Sequence, residues 1–96
     1  MGWKADVNKL KSRANELKLR ATELKTQENA LNNIIDSSRS CWDGEAADIY
    51  RKQVSNLSDK IKKTRNKLNS SADDLIRIAS QIQSIEDDRA NAAREL

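Results

Sequence analysis

The middle of this 96-residue chain reads Ser37-Ser38-Arg39-Ser40-Cys41-Trp42-Asp43-Gly44. The chain has no proline, and its two glycines are Gly2 and Gly44. Gly44 is therefore the internal position at which the backbone leaves helical geometry most easily. Serine and aspartate side chains also compete for backbone hydrogen bonds and favour helix ends. We expect a turn over residues 39–44, with Asp43 capping the helix that follows it.

The residues before this turn carry the apolar repeat of a helix. Alternate steps of four and three give ten positions, nine of them apolar: Trp3, Val7, Leu10, Ala14, Leu17, Ala21, Leu24, Glu28, Leu31 and Ile35. Such a repeat is typical of helices that pack knobs-into-holes, and the two-residue alternation of a strand is absent. The pattern predicts a helix over about residues 4–38.

The same repeat resumes after the turn. It covers fifteen positions, twelve of them apolar or tyrosine: Ala47, Tyr50, Val54, Leu57, Ile61, Thr64, Leu68, Ser71, Leu75, Ile78, Ile82, Ile85, Arg89, Ala92 and Leu96. This pattern predicts a second helix over about residues 45–92. We therefore expect an all-α protein with a single helical-hairpin domain over residues 1–96.

The distribution of charge favours an antiparallel hairpin. Residues 3–27 carry a net charge of +4, whereas residues 73–96, which would lie beside them, carry −3. Near the turn the signs reverse, with −2 over residues 28–38 and +4 over residues 45–67. Each exposed pair contributes little, but the match along both helices favours the antiparallel direction.

A hairpin of two helices has a single seam and cannot shield both apolar stripes. We expect a second hairpin to pack alongside, so that a dimer forms a four-helix bundle. In the antiparallel register Ala14 faces Ser71 and Ala21 faces Thr64. These small residues leave space at the middle of the hairpin, which a partner's larger side chain can enter. A self-sufficient hairpin is the alternative. The expected dimer interface consists of Leu10, Leu17, Leu24, Leu57, Ile61, Leu68 and Leu75.

The residue types of a catalytic or metal site are largely missing. The chain has no histidine and one cysteine, Cys41, so it cannot assemble a Cys/His dyad or a common zinc site. It also has no glycine-rich phosphate loop. The neighbouring carboxylates Asp73 and Asp74 would point in different directions on a helix. We expect no enzymatic activity, no metal and no cofactor.

Seven basic residues fall between positions 51 and 67: Arg51, Lys52, Lys60, Lys62, Lys63, Arg65 and Lys67. They could form a phosphate-binding surface. However, no aromatic side chains alternate with them to stack on bases, and the net charge of the chain is only +3. We expect no nucleic-acid binding, and we keep a basic surface for nucleic acid or anionic membrane as the weaker alternative.

The sequence also argues against insertion into a membrane. The longest uncharged stretch, Ile78 to Ile85, has eight residues, well below the ~20 needed to span a bilayer. The amino terminus lacks the apolar core of a secretory signal. We expect no stable membrane insertion and no export by the general route.

Together these features resemble the WXG family, the early-secreted-antigen-like substrates of bacterial type VII secretion. The matching residues are the central Trp42-Asp43-Gly44, followed by Ala47 and Tyr50, within a chain of about the right length. Amphipathic helical patterns lie on both sides, so the resemblance covers essentially the whole chain.

The resemblance implies a hairpin that pairs into a four-helix bundle, with Trp42 and Gly44 as its turn motif. It implies a non-enzymatic secretion substrate or escort, which is cytoplasmic before export and is secreted without a cleaved signal peptide. The implied partners are the secretion ATPase and a second helical hairpin. We expect a homodimer; a heterodimer with a related hairpin, or with the amino-terminal helical domain of a larger effector, is the alternative.

One family element is degenerate. Family members often carry a tyrosine, three residues and then an acidic residue near the end of the second helix, which is thought to act in recognition by the secretion machine. Here Ile82 stands in place of the tyrosine, and Glu86 supplies the acid. A partner carrying the missing signal would favour a heterodimer, but nothing in the sequence disfavours self-pairing. An intracellular coiled-coil adaptor with the same fold is the alternative function.

Overall fold

The computed structural model describes the backbone of residues 2–95 and the side chains of residues 4–95. It contains two α-helices, α1 (Gly2–Ser38) and α2 (Glu45–Glu95). No strand occurs among the described residues, so the predicted all-α class is confirmed. The repeat positions Trp3 and Leu96 lie outside the described side chains.

The chain divides into two compact units, each of which contains a piece of both helices. The turn unit is residues 19–68, and the terminal unit is residues 1–18 together with 69–96. In the turn unit, residues later in α1 contact residues earlier in α2: the pairs are Glu28–Arg65, Asn32–Ser58 and Ser38–Arg51. The predicted antiparallel direction is therefore confirmed there. A single domain over residues 1–96 stays a prediction.

The junction between the helices is closed by backbone hydrogen bonds. The N–H of Trp42 donates to the carbonyl of Ser38 at 2.9 Å, which gives this carbonyl at the carboxyl end of α1 a hydrogen-bond partner. The first bond of α2 runs from the N–H of Asp48 to the carbonyl of Gly44 at 3.0 Å. Gly44 is thus the N-cap residue, and the expectation that Asp43 caps α2 is wrong. Gly44 has a φ of 103°, a conformation that side-chain-bearing residues rarely adopt.

Gly44→Ala is expected to lower the free energy of unfolding by about 1–2 kcal/mol. A Cβ at this position would meet no atom within 4 Å, so the whole cost is backbone strain rather than a clash. Gly44→Asn should cost less, because asparagine tolerates positive φ better than alanine does. Urea denaturation of the three proteins checks this order. Equal stability of the alanine variant and the parent would contradict it.

The seam of the terminal unit is lined by small side chains. Ala14 of α1 and Ala72 and Ala79 of α2 are fully buried, with Val7 nearly so. Complete burial of alanine on both helices requires their backbones to approach closely. Ser71, which the sequence placed opposite Ala14, is exposed. The predicted position of the small-residue contact on α2 is therefore wrong by one residue, because Ala72 and not Ser71 is buried there.

The side of α2 that faces α1 is a row of residues at seven-residue intervals that the sequence pattern did not select. We call it the inward row: Arg51, Ser58, Arg65, Ala72, Ala79 and Glu86. The first residue of the predicted repeat of α2, Ala47, is fully buried, but most of the others fall into two rows. The middle row is half-buried: Val54, Ile61, Leu68, Leu75 and Ile82. The outward row is exposed: Tyr50, Leu57, Thr64, Ser71, Ile78 and Ile85.

Candidate interaction surface

The turn unit exposes an apolar surface on α2. Leu57 of the outward row is 49% exposed and Tyr50 is 40% exposed. The neighbouring middle-row residues Val54 and Ile61 are only half-buried. Large apolar side chains at helical spacing ordinarily face a core. This surface therefore has the character of a contact face rather than of a solvated one.

The terminal unit repeats the same arrangement. Ile78 and Ile85 of the outward row are exposed, beside the half-buried Leu75 and Ile82 of the middle row. The seven residues expected at a dimer interface all retain accessible surface. Leu57 is exposed, and the other six are half-buried: Leu10, Leu17, Leu24, Ile61, Leu68 and Leu75. Their role in an interface stays a prediction.

Trp42 lies at the turn, next to this surface. Its ring centroid is 5.3 Å from that of Tyr50, with a tilt of 48° between the ring planes. Offset and tilted aromatic pairs of this kind are favourable. The Trp42 ring is 40% exposed and lies against the ring of Tyr50. The pair extends the apolar surface of the turn unit toward the junction.

Arg51 fixes the backbone that carries Trp42. Its guanidinium donates to the carbonyl oxygen of Trp42 at 2.9 Å, to Oγ of Ser38 at 3.2 Å and to Oδ1 of Asp48 at 3.0 Å. These three bonds tie the end of α1, the turn and the first residues of α2 together. Arg51 therefore has a structural role, although it was counted among the basic residues of a phosphate-binding surface.

A buried ion pair lies in the seam of the turn unit. Nε of Arg65 donates to Oε2 of Glu28 at 3.1 Å, and the side chains are only 17% and 8% exposed. Nζ of Lys25 lies 3.7 Å from the other carboxylate oxygen of Glu28. One heptad nearer the turn, Oγ of Ser58 donates to Oδ1 of Asn32 at 3.1 Å. Within the turn unit, the polar residues of the inward row, Arg51, Ser58 and Arg65, therefore have partners on α1.

This pairing weakens the case for a phosphate-binding surface. Two of the seven basic residues between positions 51 and 67, Arg51 and Arg65, turn toward α1 and contact groups of the protein itself. The five lysines are exposed: Lys52, Lys60, Lys62, Lys63 and Lys67. What remains is a set of exposed lysines without interleaved aromatic residues.

The family model of proteins of about 100 residues with a WXG motif, WXG100, matches residues 2–87. The chain belongs to the WXG100 family. Neither a curated protein nor a solved structure matches it. Members of this family are small helical proteins of type VII secretion, and they typically form helical dimers. The Trp-X-Gly of this WXG100 protein is the junction at Trp42 and Gly44, which Arg51 braces.

The two residues that the sequence compared with the family's secretion signal, Ile82 and Glu86, lie in the terminal unit. Ile82 and Glu86 are both half-buried, and Oε1 of Glu86 accepts a hydrogen bond from Nη1 of Arg89 at 3.5 Å. The two positions lie four residues apart on α2 and therefore on one side of it. Their role as a secretion signal stays a prediction.

The part of the chain that the structure describes holds neither a metal-binding cluster nor a membrane-spanning helix. No cluster of cysteine, aspartate or glutamate among those residues could hold a metal ion. Neither α1 nor α2, over its described length, is apolar enough to cross a membrane.

Proposed function

We propose that this WXG100 protein is a non-catalytic substrate or escort of type VII secretion that acts by pairing with a second helical hairpin. The observation that carries the proposal is the exposed outward row of α2. Leu57 in the turn unit and Ile78 and Ile85 in the terminal unit present apolar surface that their own unit does not cover. Burial of such surface is the main driving force for association.

Pairing would complete the packing of both helices. The half-buried leucines of α1, such as Leu17 and Leu24, and the middle row of α2 each have one side covered within their unit. A second hairpin laid against them gives a four-helix bundle. The candidate partners are a second copy, a related hairpin, or the amino-terminal helical domain of a larger effector, with the secretion ATPase as the contact in the export machine.

Export is tested in the native cell by deleting the gene for the membrane ATPase of the type VII system. We expect the protein to disappear from the culture medium while its level inside the cell is maintained. A protein with a cleaved signal peptide should appear in the medium of both strains and serves as the control. Unchanged export after the deletion would overturn the proposal. An intracellular coiled-coil adaptor would instead stay in the cell in both strains.

A further inference from the structure

The seam of the turn unit has two edges of opposite character. The apolar edge carries half-buried side chains of both helices: Leu24, Leu31, Val54 and Ile61. One step along a helix turns it by about 100°, so the residue after each of these lies on the other edge of the seam. That polar edge carries exposed side chains: Lys25, Asn32, Ser55 and Lys62, with Arg39 one heptad after Asn32. A partner hairpin laid against the apolar edge leaves the polar edge accessible.

A groove of about 490 Å³ opens on the polar edge near the turn. Its floor is the buried Ile35 together with Arg51, whose side chain is 14% exposed. Its rim carries exposed polar side chains of both helices: Asn32, Asp36 and Arg39 of α1, and Lys52 and Ser55 of α2. All of these residues belong to the turn unit. The volume is in the range of cavities that hold ligands.

The groove is positively charged. Its lining has the three cations Arg39, Arg51 and Lys52 against the single carboxylate of Asp36, a net charge of +2. Arg51 is held by its bonds to the turn and supplies charge at the floor. Among the described residues Lys52 forms no ion pair. Arg39 pairs only with Asp36, at 3.7 Å, and these side chains are 68% and 72% exposed. Such an exposed pair is weak, so Arg39 and Lys52 can both bind an anionic ligand.

The other rim groups select the kind of anion. Oδ1 of Asn32 accepts a hydrogen bond from Oγ of Ser58 at 3.1 Å, which orients the amide and leaves its NH₂ group to donate to a peptide carbonyl. The carboxylate of Asp36 can accept from a backbone N–H, whereas it repels a phosphate group. None of the described residues that line the groove is aromatic, so it has no platform on which a base can stack.

We propose that this groove binds an acidic peptide segment of a partner protein. The carboxylates of the segment contact Arg39 and Lys52, and its backbone contacts Asn32 and Asp36. The rim on α1 from Asn32 to Arg39 is two turns long, ~10 Å, which matches about three residues of extended peptide. The proposal goes beyond the pairing function and does not depend on it, because the groove lies on the polar edge and pairing uses the apolar one.

The test is an NMR titration of the isotope-labelled full chain at low salt with a capped tripeptide, acetyl-Glu-Ala-Glu-amide. We expect saturable shifts of the backbone amides of residues 32–39 and 51–55 and of the side-chain amide of Asn32. The expected Kd is about 1 mM, because the ion pairs form at an exposed rim. The uncharged analogue, acetyl-Gln-Ala-Gln-amide, should bind about tenfold more weakly, since it forms neither ion pair.

Arg39→Gln and Lys52→Gln should each weaken binding of the acidic tripeptide about threefold, and the double variant about tenfold, because each substitution removes one ion pair. The matched control is Lys60→Gln with Lys63→Gln, which removes two charges of α2 outside the groove and should change the Kd by less than about 1.5-fold. All four side chains are exposed, so circular dichroism should show unchanged helicity.

Three results would overturn the proposal. Shifts that stay linear up to about 10 mM tripeptide would show that the groove does not bind it. An equal loss of affinity in the control double variant would show that only the overall charge matters. Inorganic phosphate that binds with the same shifts and equal affinity would overturn a peptide as the ligand. None of these results bears on the proposed function, which the export experiment tests separately.

Discussion

Arg65→Leu is expected to lower the free energy of unfolding by about 2–3 kcal/mol. The substitution leaves the carboxylate of Glu28 buried in the seam without the 3.1 Å hydrogen bond that it accepts from Arg65. An uncompensated buried charge is strongly destabilising. Lys25, 3.7 Å from the other carboxylate oxygen, offsets part of the loss, so the effect falls below the upper limit for a fully isolated charge. Urea denaturation at one fixed protein concentration measures it.

Two further variants make this test specific. Glu28→Leu with Arg65→Leu should return stability to within about 1 kcal/mol of the parent, because apolar residues often replace a buried pair at little cost. Arg20→Leu is the matched control, since it breaks an exposed pair with Glu23 and should cost less than about 0.5 kcal/mol. If Arg65→Leu cost no more than this control, the seam would not depend on the ion pair.

Leu57→Asp is expected to weaken pairing with a second hairpin by about a hundredfold, because a carboxylate would be buried against apolar side chains without a partner. Leu57 is 49% exposed in its own unit, so the helices themselves should remain folded. The measurement is sedimentation equilibrium, with circular dichroism to confirm helicity.

Leu19→Asp is the control for Leu57→Asp. Leu19 is 58% exposed but lies outside the apolar repeat of α1, so the same substitution should change the affinity by less than about threefold. Equal effects of the two substitutions would argue against the outward row as the interface. Leu17→Asp and Leu68→Asp should both dissociate the dimer and loosen the hairpin, because these leucines are half-buried already. They are therefore less selective tests.

In the turn unit, polar pairs between the inward row and α1 define the register of α2 against α1. A slip of one heptad would separate Glu28 from Arg65 and Asn32 from Ser58, and each buried group would lose its partner. The terminal unit instead joins its helices through an exposed ion pair, in which Nζ of Lys18 lies 3.3 Å from Oδ1 of Asp73. Its buried residues are Val7 and three alanines, which specify close approach of the helices but distinguish registers less strongly.

The sequence carried a signal for this arrangement. Glu28 was the one charged residue in the apolar repeat of α1, and a charge at a seam position needs a countercharge on the facing helix. In the antiparallel direction that countercharge is Arg65, which stands seven residues from Ser58 and fourteen from Arg51. Placing a countercharge opposite Glu28 would therefore have predicted that the inward row is the side of α2 that faces α1.

The local sequence determined the helices, the position of the turn and the family. Gly44 is the one internal glycine of a chain without proline, and the apolar repeats on both sides follow helical spacing. These are local properties, because helix propensity and turn geometry depend on neighbouring residues. Trp42-Asp43-Gly44 at the junction supplied the motif of the WXG100 family.

Only the tertiary structure decided which side of α2 faces α1. Three adjacent rows of α2 contain apolar or small residues. Periodicity alone therefore cannot predict which of these neighbouring rows faces α1. The helices approach most closely where alanines such as Ala72 and Ala79 are buried, and polar residues such as Ser58 and Arg65 are accepted there because α1 satisfies them. The outward row is thereby left at the surface together with its large apolar side chains, since burial depends on what lies opposite and not on hydrophobicity alone.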